Sequence, residues 1–206
     1  MNAQASLRER KKARTRASLR EHALRLFREQ GYHATTVEQI AAAAEVSPST
    51  FFRYFPTKED VVLQDDMDIR MVEALARQPL ELSPIAAVRA AMQETWRSFT
   101  PVEWEQLREG GRLSMQVPEI RARTTDEFSR LINAFAGALA QRAGKCADDV
   151  RVRVLAGAII GVMMSVFLPE HLKQEAGVEF DPSLFGPESV GRIDEALVLL
   201  EEGLPL

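Results

Sequence analysis

Between Gly31 and Pro56 the chain is interrupted at close intervals by residues that start or stop helices, and this punctuation constrains the fold more than any other feature. Apolar residues Leu19, Ala23, Leu26 and Phe27 recur at helical spacing over about Thr15 to Gln30. Gly31 then supplies a residue that tolerates the left-handed conformation in which helices commonly end, and Tyr32 can fold back on the last turn. Thr36 precedes a second stripe of Val37, Ile40, Ala41 and Ala44, and with Gln39 it makes a capping box. After Glu45-Val46, Ser47 is a good N-cap, and Pro48 takes the first helical position, where its missing N–H costs nothing. Pro56 disfavours helix at Phe55, and Thr57 with Asp60 caps the next segment. Only short helices fit between these marks, and two of them joined by a turn of about three residues form a helix-turn-helix.

The second of these helices has two unlike faces. Phe51 and Phe55 point inward with Val37, Ile40 and Val46, while Pro48, Ser49, Thr50, Phe52, Arg53 and Tyr54 point out. A helix entering a DNA major groove about 12 Å wide needs small side chains at its first turn, which Ser47 to Thr50 provide. Arg53 has the fork that matches guanine O6 and N7, and Phe52 can meet a thymine methyl. Thr50, Tyr54 and Lys58 suit phosphate oxygens, and Thr36 and Ser47 place hydroxyls and N–H groups at helix N-termini.

Charge divides the chain in the same way. Residues 1–60 hold 11 Lys/Arg against 7 Asp/Glu, whereas the remaining 146 hold 15 against 23. Seven basic side chains (Arg8, Arg10, Lys11, Lys12, Arg14, Arg16, Arg20) crowd residues 8–20, opposed only by Glu9. A basic head on an acidic body is expected to meet a polyanion with one end.

The segment from Ala23 to Leu63 resembles the DNA-binding domain of the TetR family of bacterial transcriptional regulators. Phe27, Gly31-Tyr32, Thr35-Thr36-Val37, Ile40-Ala41, Val46-Ser47, Thr50, Phe52, Tyr54-Phe55 and Lys58-Glu59 carry the likeness. Two positions depart from the family pattern: Glu45 stands where a turn glycine is usual, and Phe52 replaces a frequent tyrosine. The resemblance implies a homodimer on a palindromic double-stranded DNA operator. It also implies a variable helical regulatory domain that takes a small effector and pairs with its copy through the last two helices.

The rest of the sequence reads as all-α. Helices are expected at about 58–77, 84–98, 102–116, 118–143, 148–168 and 187–202, with a turn-rich loop at 173–187. The expected organisation is a basic N-terminal arm (1–14), a three-helix DNA-binding domain (15–60) and a larger helical effector-binding and dimerisation domain (61–206). From Val154 to Leu168 the chain is apolar on every side, so that helix must be covered all round. Gly157 and Gly161 share a face with Ala158 and permit close helix approach, while Leu197, Val198, Leu200 and Leu204 offer a second stripe for a dimer interface.

Adaptable apolar side chains mark an effector pocket on the helices that enclose it in the family: Met67, Met71, Met92, Trp96, Phe99, Trp104, Met115, Phe128, Phe135 and Met163. Such a lining suits an apolar effector, with Arg97 or Arg112 as a polar partner for an anionic group.

No catalytic constellation is present. His22, His33 and His171 are scattered and Cys146 is the single cysteine, so no enzyme activity, cofactor or metal site is expected. One cysteine suits a reducing cytoplasm, and the longest uncharged apolar run, Val154 to Pro169, falls short of a membrane span of about 20 residues. The expected role is a cytoplasmic, nucleoid-associated repressor released by its effector. An effector-independent architectural or partner-recruiting DNA-binding protein is the alternative.

Overall fold

The structure, a computed structural model, describes residues 3–63, 67–175 and 181–204, without the side chains of residues 3–6, 9, 124–125, 167–175 and 182. Its described regular elements are all helical. They are α1 (Ala3–Gln30), α2 (Val37–Ala43), α3 (Pro48–Tyr54), α4 (Asp60–Leu63), α5 (Met67–Arg77), α6 (Pro84–Arg97), α7 (Pro101–Gln116), α8 (Pro118–Ala122), α9 (Thr124–Ala143), α10 (Val150–Glu175) and α11 (Pro187–Glu201), with a 3₁₀ turn at Pro182–Phe185. The middle of the expected 58–77 helix, the 176–180 part of the expected loop, and the side chains of Phe167, Leu168 and His171 lie outside the described residues. Among the described residues no helix is long and apolar enough to cross a membrane.

Three helix boundaries differ from the sequence reading. α1 begins at Ala3 rather than near Thr15, so the basic residues sit on a continuous helix instead of an arm. Residues 3–14 are mostly Ala, Leu, Arg, Lys, Glu and Gln, which extend a helix already nucleated by the core beyond them. The expected 118–143 helix is broken at Arg123, whose side chain is drawn to Asp60 at 3.1 Å and to the Thr57 hydroxyl. Finally, α10 passes through Pro169 to Glu175; a proline forfeits one helix hydrogen bond, at about 3 kcal/mol, without having to end the helix.

Two apolar cores organise the chain. The first gathers Leu19, Leu24 and Phe27 of α1, Ile40 and Ala41 of α2, Phe51 and Phe55 at α3, and Val61 and Val62 of α4. Leu113, Val117 and Ile120 of α7 and α8 complete it, so its packing runs across residue 60 into the helices that follow. The second core joins α5, α6, α9, α10 and α11 through Met71, Leu75, Met92, Phe135, Ile159, Ile193 and Leu197. Each large side chain fully buried contributes about 1.5–3 kcal/mol. A two-pronged ion pair, Arg89 to Asp194 with both N–O distances 2.9 Å, pins α6 to α11 at the edge of this core.

Candidate nucleic-acid interface and adjoining cavity

The helix ends around α2 and α3 form as their capping residues dictate. The Thr36 hydroxyl accepts from Gln39 N at 3.3 Å while the Gln39 side chain accepts from Thr36 N at 2.9 Å. Ser47 Oγ accepts from Thr50 N at 3.2 Å and lies 2.8 Å from Ser49 Oγ and 3.0 Å from Thr50 Oγ1, which gathers three hydroxyls at the start of α3. Glu45 holds φ at +55°, the left-handed conformation expected of a turn glycine, so this departure from the family pattern is absorbed by backbone strain rather than by another turn.

Phe51 and Phe55 are fully buried with ring centroids 5.8 Å apart, which orients the opposite face of α3 outward. On that face Phe52 is 51% exposed, Arg53 is exposed, and Tyr54 is half-buried beside Arg53, whose guanidinium carbon lies 5.3 Å from its ring. α1 passes alongside, and Arg8, Lys11, Lys12 and Thr15 share a cleft with Thr50, Arg53 and Tyr54. Arg16 anchors this arrangement: its guanidinium donates to the Tyr54 carbonyl at 3.3 Å and covers the Phe55 ring at 4.6 Å.

Lys58 is placed differently from the sequence expectation. Its ammonium donates to the Tyr32 and Thr35 carbonyls at 2.9 and 3.1 Å and sits 3.9 Å from the Tyr32 ring centroid. Burial lowers its pKa, against the opposing effect of the Glu59 and Glu119 charges. Lys58 is therefore a latch between the α1–α2 turn and α4, not an outward phosphate ligand. The neighbouring Glu59 accepts from the Tyr32 hydroxyl. Burial alone would raise the Glu59 carboxyl, but the Tyr32 hydrogen bond, with smaller contributions from its own backbone, Thr57 and Arg123, holds it below the usual range.

An apolar cavity of about 210 Å³ lies behind this unit. Met67, Trp96, Met115 and Met163 line it as the sequence suggests, joined by Arg20, Met164, Phe185, Ser189 and Ile193. The Trp96 indole N–H is buried without an acceptor among the described residues. Met71, Met92 and Phe135, also expected at a pocket, are 2%, 0% and 2% exposed and belong to the second core instead. Phe99 and Trp104 pack together at 5.1 Å; Phe99 lines a second opening beside the first, whereas Trp104 and the half-buried Phe128 line neither. Arg97 and Arg112 also point elsewhere, Arg97 to Gln93 and Arg112 to Glu109 and Gln116. Sequence reasoning missed Phe185, although a signal existed: Gly110-Gly111 inside a helix marks a close approach, and a Cβ at Gly111 would stand 2.5 Å from the Phe185 ring.

Among the described residues, nothing beyond α10's own adjoining backbone lies within 4 Å of a Cβ built at Gly157 or Gly161, and Val150 and Val154 are 71% and 65% exposed. Among the described residues, α10 is thus left uncovered on one face. Leu197, by contrast, is fully buried in the second core, and Leu200 is half-buried against it. Leu199, 47% exposed, is a large apolar residue that α11 turns outward.

Comparison with known proteins gives two family matches: residues 19–64 to "Bacterial regulatory proteins, tetR family" and residues 82–184 to "MftR C-terminal domain". The HTH-type transcriptional regulator TcmR of Streptomyces glaucescens is 35% identical over 183 residues, spanning 84% of this chain and 80% of that protein. Among solved structures, Thermus thermophilus FadR in complex with lauroyl-CoA has a TM-score of 0.53 at 23% identity, covering 93% of this chain and 95% of that one. The SmeT–triclosan complex has a TM-score of 0.52 at 18% identity, covering 89% and 90%.

Proposed function

The chain belongs to the TetR family of bacterial regulatory proteins, a helix-turn-helix transcriptional regulator and not an enzyme, and on that premise we propose that it is a homodimeric repressor released from a palindromic operator by a small, largely apolar effector. The observation that carries this reading is the position of the cavity. Its walls include Arg20 of α1 and Val62 and Leu63 of α4, and Val62 belongs to the same core that seats α3. An occupant that prefers one setting of α4 biases the setting of α3, and a preference of about 2.7 kcal/mol changes DNA affinity a hundredfold.

In this reading the first turn of α3, with Ser47, Pro48, Ser49 and Thr50, enters the major groove. Arg53 reads a guanine, Phe52 meets a thymine methyl, and Thr36 and Tyr54 join Arg8 and Lys12 on phosphates. The residues up to 14 serve as a basic helical extension, 15–60 as the reading unit, and 61–206 as the sensing and pairing part. The uncovered face of α10, Val150, Val154, Gly157 and Gly161, pairs with its copy together with Leu199 of α11, setting two α3 helices about 34–36 Å apart. The protein acts in the cytoplasm on the nucleoid.

Selection from randomised DNA with the full-length protein tests this. The expected product is an inverted repeat with half-sites one DNA turn apart, bound by a species that sediments as a dimer, and lost when an apolar compound that raises the melting temperature is added. A monomer on an unsymmetrical site would overturn the proposal.

A further inference from the structure

The cavity behind the reading unit is walled mostly by apolar side chains. Met67, Met115, Met163 and Met164 form much of it, and unbranched methionines adapt to the outline of an occupant. Among the described residues that line it, Arg20 is the only charged one, and its guanidinium donates to the Val61 carbonyl of α4 at 3.2 Å. An ion drawn into such a lining loses its hydration, so the wall favours a neutral molecule.

Three uncharged polar side chains interrupt this wall: Trp96, Ser114 and Ser189. Ser189, 3% exposed, donates its hydroxyl to the Gly186 carbonyl at 2.7 Å, and Ser114 is half-buried. A hydroxyl rotates to meet a partner, and it accepts as well as donates. The indole N–H of Trp96 is fixed in its ring plane and only donates. Trp96 is 7% exposed, and no described residue accepts from that N–H. Buried donors are nearly always paired, so this one is an exception that calls for an explanation. With no acceptor on the protein side, its partner is left to the cavity that Trp96 borders. The nitrogen is covered rather than open to water, so an incoming oxygen reaches it as the adaptable side chains sharing this wall give way.

We propose that the effector is a neutral, largely apolar molecule carrying one hydrogen-bond acceptor oxygen, which takes the Trp96 indole N–H. The proposal rests on the effector reading above and adds the chemistry by which the site selects among apolar compounds. A hydrocarbon of the same shape leaves the N–H buried and unbonded, and the site discriminates against it on that account. The contact also gives the ligand a direction, because one polar group in an apolar site fixes orientation. The oxygen is held at α6, and the apolar remainder lies against Met163 and Met164 of α10 and Val62 and Leu63 of α4.

The test uses the full-length, isotope-labelled protein and two probes of matched size, acetophenone with the oxygen and ethylbenzene without it. The chain has two tryptophans, so Trp96→Phe assigns their indole N–H resonances. Acetophenone should move the Trp96 resonance downfield, and ethylbenzene should not. By calorimetry, the ratio of acetophenone to ethylbenzene affinity should fall about tenfold in Trp96→Phe. The ratio is read rather than either affinity, since phenylalanine also changes the shape of the wall. Should Trp96→Phe fold poorly or bind neither probe, Trp104→Phe makes the assignment and the resonance alone decides. A Trp96 resonance that moves no further downfield with the ketone than with the hydrocarbon, or a ratio unchanged in Trp96→Phe, overturns the proposal and leaves a purely apolar effector standing. Failure of wild type to bind either probe also overturns it. The effector reading falls with it only if, in addition, no apolar compound releases the operator.

Discussion

The two apolar cores of this chain are made of different material. The one that seats α3 is closed by Phe27, Tyr32, Phe51 and Phe55, and its helix ends are fixed by Thr36 with Gln39, by Ser47 and by Thr57 with Asp60. The other is mostly aliphatic, with Leu75, Ile159, Ile193, Leu197 and alanines around Met71, Met92, Trp96 and a single buried phenylalanine, Phe135, and it borders a chamber walled by further methionines. Packed aromatic rings, with few rotatable bonds, hold one arrangement, whereas unbranched methionine repacks around whatever enters. The contrast fits the proposed division between reading and sensing: a recognition helix held at a set angle stands next to a wall that can yield.

The most severe way to break this contrast is to empty the rigid side. Phe51→Ala removes a fully buried ring and is expected to cost about 3–5 kcal/mol in thermal unfolding. Met92→Leu, a volume-conserving exchange at an equally buried position, should cost less than about 1.5 kcal/mol. A loss at Met92→Leu as large as that at Phe51→Ala would mean that the second core does not repack around an exchanged side chain.

Gly161→Leu extends the comparison to the surface of the second core. No described side chain occupies the space around Gly161, so the subunit's own melting should change by no more than about 0.5 kcal/mol. Dimer association should weaken by about 1–3 kcal/mol from overpacking across the interface, visible as monomer in sedimentation. A variant that remains a dimer would move the pairing surface away from α10.

Arg53→Ala examines the reading face without touching its core. Operator affinity should fall by about 1–3 kcal/mol, with preference relaxed at one base pair per half-site in a selection experiment. Tyr54→Phe should instead weaken binding to all sequences by a similar factor. An unchanged base preference in Arg53→Ala would leave that residue a phosphate clamp.

The smallest expected effect lies in the turn between α2 and α3. Glu45→Gly relieves a left-handed φ of +55° and should stabilise the protein by about 0.5–1 kcal/mol, net of the greater freedom of glycine in the unfolded chain. A loss of stability would show that the Glu45 side chain contributes more than its backbone strain takes away.

What was legible in the sequence follows a single physical division. Caps and turns are made by residues a few positions apart, so Thr36, Ser47, Gly31 and the strained Glu45 could be read directly, as could the inward Phe51 and Phe55. Lys58 misled because its partners, Tyr32 and Thr35, lie 26 and 23 residues away and meet it only after folding. At the break between α8 and α9, Arg123 likewise meets Thr57, 66 residues earlier. Methionine and aromatic periodicity identified helices with buried faces but not which of those faces border a void, so Met67, Trp96 and Met163 were separated from Met71, Met92 and Phe135 only by the tertiary arrangement. Leu197 shared a helix with the outward Leu199 but not its direction.

That α1 is one uninterrupted helix of 28 residues gives its length a second meaning. Each residue turns the helix by about 100° and advances it by about 1.5 Å. The basic residues beside Thr50 and Arg53 and the arginines at Tyr54 and Val61 are therefore locked in angular phase along a rod of about 40 Å. One residue inserted between Lys12 and Arg16 would swing Arg8 and Lys12 away from the cleft they share with α3, while an insertion of about four, close to a full turn, would restore their direction some 6 Å further out. Along this helix, the count of residues sets an angle as firmly as it sets a distance.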